Sequence, residues 1–134
     1  MTVRAGFVGI GKMGEPMAVR LAAVGLETTV YDVRREAVDA LVAKGAKAAA
    51  SPREVAERSD VIGVCVPADH HVREVLSGSD GILAGAKKGS VVAVHSTILP
   101  STAEEVAALA AEHGVGLLDA CVTGGDERAL LGKL

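Results

Sequence analysis

Aromatic side chains are almost missing from this sequence: one Phe (Phe7), one Tyr (Tyr31) and no Trp among 134 residues. A core without rings must be built from Val, Ala, Leu and Ile. That suits helices packed closely on a sheet better than a sandwich organised around large side chains. A large excess of either charge is missing too. The net charge is −3 and no basic or acidic block occurs, which excludes the clustered basic face of a nucleic-acid-binding domain. No apolar run approaches the ~20 residues that span a membrane. The N-terminus enters a strand pattern directly, without the charged and apolar regions of a signal peptide, so a cytoplasmic protein with no membrane partner is expected. The two cysteines, Cys65 and Cys121, lie in apolar runs and are expected to be buried, reduced thiols. Neither has a second ligand at metal spacing, and the adjacent His70 and His71 point apart on a helix, so no metal site is expected.

What is present is alternation. Short apolar runs are expected as strands at residues 3–9, 28–31, 46–50 (weakly), 61–66, 90–94 and 115–120. Helical spacing lies between them. Met13, Met17, Leu21 and Val24 share one face and stop at Gly25; Ala37, Val38, Leu41 and Val42 share another and stop at Gly45. Ser51-Pro52-Arg53-Glu54 is a helix start, with Ser as cap, Pro at the first helical position and Glu three residues after the cap. Asp69 is expected to cap a helix to about Ser77, and Ser101-Thr102-Ala103-Glu104 to open one that runs to about His113. Residues 78–89 read as loop with one helical turn. Strands that alternate with helices and are apolar almost throughout predict a parallel sheet covered on both faces: an α/β, doubly wound (Rossmann) fold.

The first strand runs into Gly9-Ile10-Gly11-Lys12-Met13-Gly14 and then a helix. In that context the three glycines have separate tasks: a tight turn, close approach of the backbone to a pyrophosphate, and close helix–strand packing. Asp32 follows Gly14 by 18 residues at the end of the second strand, where a carboxylate accepts hydrogen bonds from an adenosine ribose. Alternatives are a plain glycine turn with a surface Asp, or a site for an adenosine-containing methyl donor. Asp32 would repel a 2′-phosphate, which favours NAD. Arg34 and Arg35 open the second helix, where cations oppose the helix dipole unless an anion lies nearby, so NADP stays possible.

The segment GFVGIGKMGEPMAVRLA resembles the signature of the β-hydroxyacid dehydrogenases, the group of 3-hydroxyisobutyrate, tartronate semialdehyde and 6-phosphogluconate dehydrogenases. Three later segments match in order: Val64-Cys65-Val66-Pro67, the STxxP-like Ser96-Thr97-Ile98-Leu99-Pro100, and Leu118-Asp119-Ala120-Cys121-Val122-Thr123-Gly124-Gly125, which is similar to DAPVSGG. The resemblance implies that Gly9, Ile10, Gly11, Lys12, Met13, Gly14, Asp32, Val33 and Arg34 meet the cofactor. It further implies that Val66, Pro67, His71 and Thr97 border it, and that Thr123, Gly124 and Gly125 hold a substrate carboxylate. His95 and Cys121 depart from the pattern. His95 reads either as functional or as a strand-end histidine held by a backbone partner.

The family's acid/base is a lysine in a Gly-rich Lys/Asn motif beyond DAPVSGG, followed by an all-helical domain that supplies much of the dimer contact. None of Lys12, Lys44, Lys47, Lys87, Lys88 and Lys133 has that motif. Residues 1–120 are therefore expected as the dinucleotide-binding domain. Residues 121–134 are expected as the truncated start of the substrate segment and interdomain connection. The resemblance implies NAD(P)-linked hydride transfer with a short hydroxy acid in a homo-oligomeric enzyme, and a chain that is inactive alone. A fragment, half of a split enzyme and a freestanding binding module all remain open.

Overall fold

The computed structural model describes residues 2–134. Six strands, β1 (Arg4–Val8), β2 (Glu27–Tyr31), β3 (Lys47–Ala48), β4 (Val61–Val64), β5 (Val91–Val94) and β6 (Gly116–Asp119), form one sheet. All pair in parallel, in the order β3-β2-β1-β4-β5-β6. The connections are α1 (Gly14–Ala23), α2 (Arg35–Val42), α3 (Pro52–Glu57), α4 (Asp69–Leu76), α5 (Ile82–Gly85) and α6 (Pro100–Glu112), and α7 (Gly125–Leu130) follows β6. Chain direction across the sheet reverses beside β1, so a crevice opens at the carboxyl ends of β1 and β4.

Each face of the sheet has its own cluster. Phe7, Ile10, Ala18, Val30, Val38 and Leu41 pack together under α1 and α2. Val55, Ile62, Val64, Val72, Ile82, Val92 and Val106 pack together under α3 to α6. The protein's one Phe replaces a neighbour's side chain. Phe7 lies in register with Gly63, where a Cβ would sit 2.6 Å from the Phe7 ring. The ring crosses that gap and stacks on His95, with centroids 5.9 Å apart and planes 9° apart.

The Ser51 cap forms as expected. Its hydroxyl accepts the Glu54 N–H at 3.1 Å, and the Glu54 carboxylate accepts the N–H of Ala50. Two other expected caps do not. Ala68, in extended conformation, caps α4, and Asp69 is already helical. Pro100 takes the first position of α6 with Leu99 before it, because a fixed φ and a missing N–H suit that position. Ser101 therefore lies inside the helix. The two starts are also tied together: the Asp69 carboxylate accepts the Leu99 N–H at 3.0 Å.

The sheet is not covered on both faces throughout. On the edge strand β6, Leu118 is 58% exposed, since α6 covers only one face and α7 turns back to pack against α1. Cys121, beyond this strand, is exposed rather than buried, and Cys65 is half-buried. Among the described residues no helix is long and apolar enough to cross a membrane.

Candidate functional site

The glycine loop sits at the switch point, and its three glycines are not there for one reason. Gly9 has φ +91°, and a Cβ on it would lie 2.2 Å from the Cys65 carbonyl oxygen. Its N–H donates to the Tyr31 carbonyl at 3.0 Å. Gly14 opens α1, and a Cβ there would fall 1.9 Å from the Gly9 carbonyl oxygen. Gly11 is different: a Cβ would meet only the Arg34 guanidinium, at 3.8 Å. Glycine at 11 leaves an approach open; glycines at 9 and 14 let backbone touch backbone.

Asp32 leaves β2 beside this loop, with its side chain only 10% exposed. Its Oδ2 accepts the Ile10 N–H at 2.9 Å; its Oδ1 accepts the Arg34 N–H at 2.9 Å and Arg34 Nε at 3.2 Å. Arg34 in turn donates Nη2 to the Ile10 carbonyl at 3.4 Å. Loop, carboxylate and guanidinium form a closed ring of contacts. Burial pushes the Asp32 carboxyl up, but the hydrogen bonds from the Arg34 N–H, the Ile10 N–H and the Arg34 side chain outweigh it. The group is held below its ordinary value. The anion that offsets the cation at the start of α2 is thus Asp32 itself, while Arg35 pairs with Asp39.

A pocket of about 530 Å³ joins these parts. Of the residues expected to meet cofactor, Gly9, Gly11, Lys12, Met13, Gly14, Asp32, Val33, Arg34, Val66, Pro67 and His71 line it. Ile10 turns its buried side chain into the core and faces Asp32 only through its N–H. Thr97, Thr123, Gly124 and Gly125 do not line it. Cys65, within the matched segment 64–67, also lines it, and sequence reasoning missed Val8, Tyr31, Glu74 and Val75. Helical spacing from His71 was the signal for Glu74 and Val75. A second cavity of about 470 Å³ shares Tyr31, Asp32 and Val33 and extends to Arg35 and Glu54.

The remaining expected residues gather at the ends of β4, β5 and β6. The buried Ser96 hydroxyl accepts the Val66 N–H at 2.9 Å, which fixes the Val66-Pro67 turn. His95 Nδ1 lies 3.0 Å from the Ala120 carbonyl. A carbonyl only accepts, so Nδ1 carries the proton, and with the Phe7 stack this is a strand-end histidine held by a backbone partner. Thr97 Oγ1 and Cys121 Sγ are 3.5 Å apart, which brings the STxxP-like turn against the segment leading to Thr123. Gly124 and Gly125 both have positive φ, +114° and +76°, and start α7. Burial raises the Cys65 thiol. Among the described residues no cluster of three metal-type side chains forms.

The fit to a dinucleotide rests on three observations. Gly11 leaves the loop open on the pocket side, the Asp32 carboxylate stands at the end of β2, and His71 Nδ1 is a buried polar atom without a partner beside the pocket.

Residues 4–134 match the family described as the NAD binding domain of 6-phosphogluconate dehydrogenase. The chain is 42% identical over 128 residues to an NAD-dependent L-serine dehydrogenase of Pseudomonas aeruginosa, which covers 96% of this chain and 43% of that protein. It superposes on a 3-hydroxyisobutyrate dehydrogenase from Salmonella typhimurium with a TM-score of 0.90 at 39% identity, covering 97% of this chain and 45% of that one. A TM-score of 0.90 at 33% identity relates it to Psf3 in complex with NADP+ and 2-OPP, covering 96% and 45%. The chain spans less than half the length of these relatives.

Proposed function

The chain belongs to the NAD-binding domain family of 6-phosphogluconate dehydrogenase, and from that membership we propose that it forms the cofactor side of a hydroxyacid dehydrogenase active site. The observation that carries the reading is one pocket running from the glycine loop at the start of α1 to the Asp32 carboxylate at the end of β2.

In this reading Gly9, Gly11 and Gly14, with the backbone of Ile10, Lys12 and Met13, receive the pyrophosphate at the positive end of α1. Asp32 accepts from the adenosine ribose, with Val33, Arg34 and His71 beside it. Val66, Pro67 and Thr97 border the nicotinamide half. Thr123, Gly124 and Gly125 present a hydroxyl and open backbone to a substrate carboxylate. Residues 1–120 then serve as the dinucleotide-binding unit, and 121–134 begin the substrate segment and interdomain connection. The bound nicotinamide supplies hydride transfer; this chain binds it, orients it and borders the substrate.

NAD is the preferred cofactor, because the Asp32 carboxylate repels a 2′-phosphate. The substrate class is a short hydroxy acid or its semialdehyde, in keeping with the serine and 3-hydroxyisobutyrate dehydrogenases among its relatives. The setting is cytoplasmic and the whole enzyme a homo-oligomer. None of the six lysines lies in a Gly-rich Lys/Asn motif, so this chain binds cofactor without turning over substrate alone. Calorimetry with NADH and NADPH tests the first half: no heat with either overturns it. Reduction of NAD by the pure chain with L-serine or 3-hydroxyisobutyrate overturns the second.

A further inference from the structure

The pocket has one end that the glycine loop and Asp32 do not explain. Val33 lies just past Asp32 and is 87% exposed, an unusual place for a Val at the mouth of a cavity. From α4, His71, Glu74 and Val75 line the same pocket; at spacings of three and four they share one helix face. Val33 and Val75 are apolar groups lining this pocket, suited to the faces of a flat heterocycle. Phosphates at the loop and a ribose at Asp32 bring the base of the dinucleotide to this end. Two polar groups wait there. Glu74 makes no ion pair or side-chain hydrogen bond among the described residues, although it neighbours Arg73, which pairs with Glu105 instead. His71 Nδ1 is buried and without a partner.

Resting on the cofactor reading above, we propose that Glu74 reads the base: its carboxylate accepts a hydrogen bond from the exocyclic amino group of adenine. A carboxylate only accepts. At the edge formed by position 6 and N7, adenine offers an amino donor, whereas the deaminated base offers only acceptors there, the 6-oxo group and N7, which the carboxylate repels. The pocket therefore selects adenine dinucleotides against their hypoxanthine counterparts, by leaving the wrong base with two facing acceptors.

The test is a fluorescence titration of the full chain with NADH and with reduced nicotinamide hypoxanthine dinucleotide. NADH should bind about tenfold tighter, the size of one hydrogen bond to a charged group. Glu74→Ala should bring the two affinities together, and Glu74→Lys should reverse their order, because an ammonium donates to the 6-oxo group. Glu74 is exposed, so both variants should fold. Equal affinities in the unmodified chain, or an unchanged preference in both variants, overturn the role of Glu74 and leave the dinucleotide reading standing. No binding of either dinucleotide overturns both.

Discussion

Replacing Asp32 by Ala removes two things at once, and the structure sets the size of each. The first is loop stability. The carboxylate accepts the Ile10 N–H and the Arg34 N–H at 2.9 Å and Arg34 Nε at 3.2 Å. The Arg34 groups are exposed and regain water, so their loss costs little. The Ile10 N–H stays in a residue that is 1% exposed, and stranding it costs about 1–3 kcal/mol. A total of about 1–3 kcal/mol should lower the thermal midpoint by about 3–12 °C in a domain of this size. The second loss is the ribose contact: NADH affinity should fall about tenfold, and NADPH affinity less, since its 2′-phosphate loses a repulsive neighbour as well. Asp32→Asn keeps an acceptor for Ile10 and should recover most of the stability without the preference for NADH. The pH dependence has a definite sign. Asp32 is held below its ordinary value of 3.8, so its contribution is complete above that value and disappears as pH falls through the folded one. The stability gap between the unmodified chain and Asp32→Asn should therefore close below about pH 4. Differential scanning fluorimetry and paired titrations measure both parts. An unchanged midpoint with an unchanged NADH-to-NADPH ratio would show that this carboxylate neither holds the loop nor meets the ribose.

Two further substitutions separate binding from packing. Gly14→Ala sets a Cβ 1.9 Å from the Gly9 carbonyl oxygen, backbone against backbone, so the loop itself must shift; stability should drop by about 2 kcal/mol and NADH binding should be lost by calorimetry, and retained affinity would refute the close approach. Gly63→Ala sets a Cβ 2.6 Å from the Phe7 ring and should cost about 1–3 kcal/mol in urea denaturation while NADH affinity is kept, whereas an unchanged urea midpoint would mean that the ring does not fill that gap.

The strand and helix order was legible because each element carries its own local period, and the glycine loop because all its constraints fall within six residues. The Ser51 box was legible for the same reason: Ser51, Pro52 and Glu54 act on one another. Where a helix start depends on a distant group, the local signal misleads. Asp69 looks like a cap for its own helix and instead holds Leu99, 30 residues on. Ser101-Thr102-Ala103-Glu104 looks like a capping box, yet Pro100 before it fits the first helical position better. Leu118 lies in apolar sequence but on an edge strand with one covered face, and Cys121 just beyond that strand, a property of strand order that no local run encodes. The helix α7 was unread, since its residues 125–130 show no apolar stripe longer than Ala129 and Leu130. In the site, the loop and Asp32 were legible. The engagement of Asp32 by Arg34 was not, because acid and base two residues apart read equally well as independent surface charges.

The near-absence of rings has an optical consequence. With no Trp anywhere and a single Tyr, ultraviolet emission from this protein comes from one place. That tyrosine, Tyr31, lines both cavities, and its carbonyl receives the Gly9 N–H. The fold has put its one tyrosine, the fluorophore that dominates its emission, beside the pocket, where a reduced nicotinamide ligand would act as an energy acceptor. Occupancy is therefore written directly into the protein's own emission, without a label and without background from the rest of the chain.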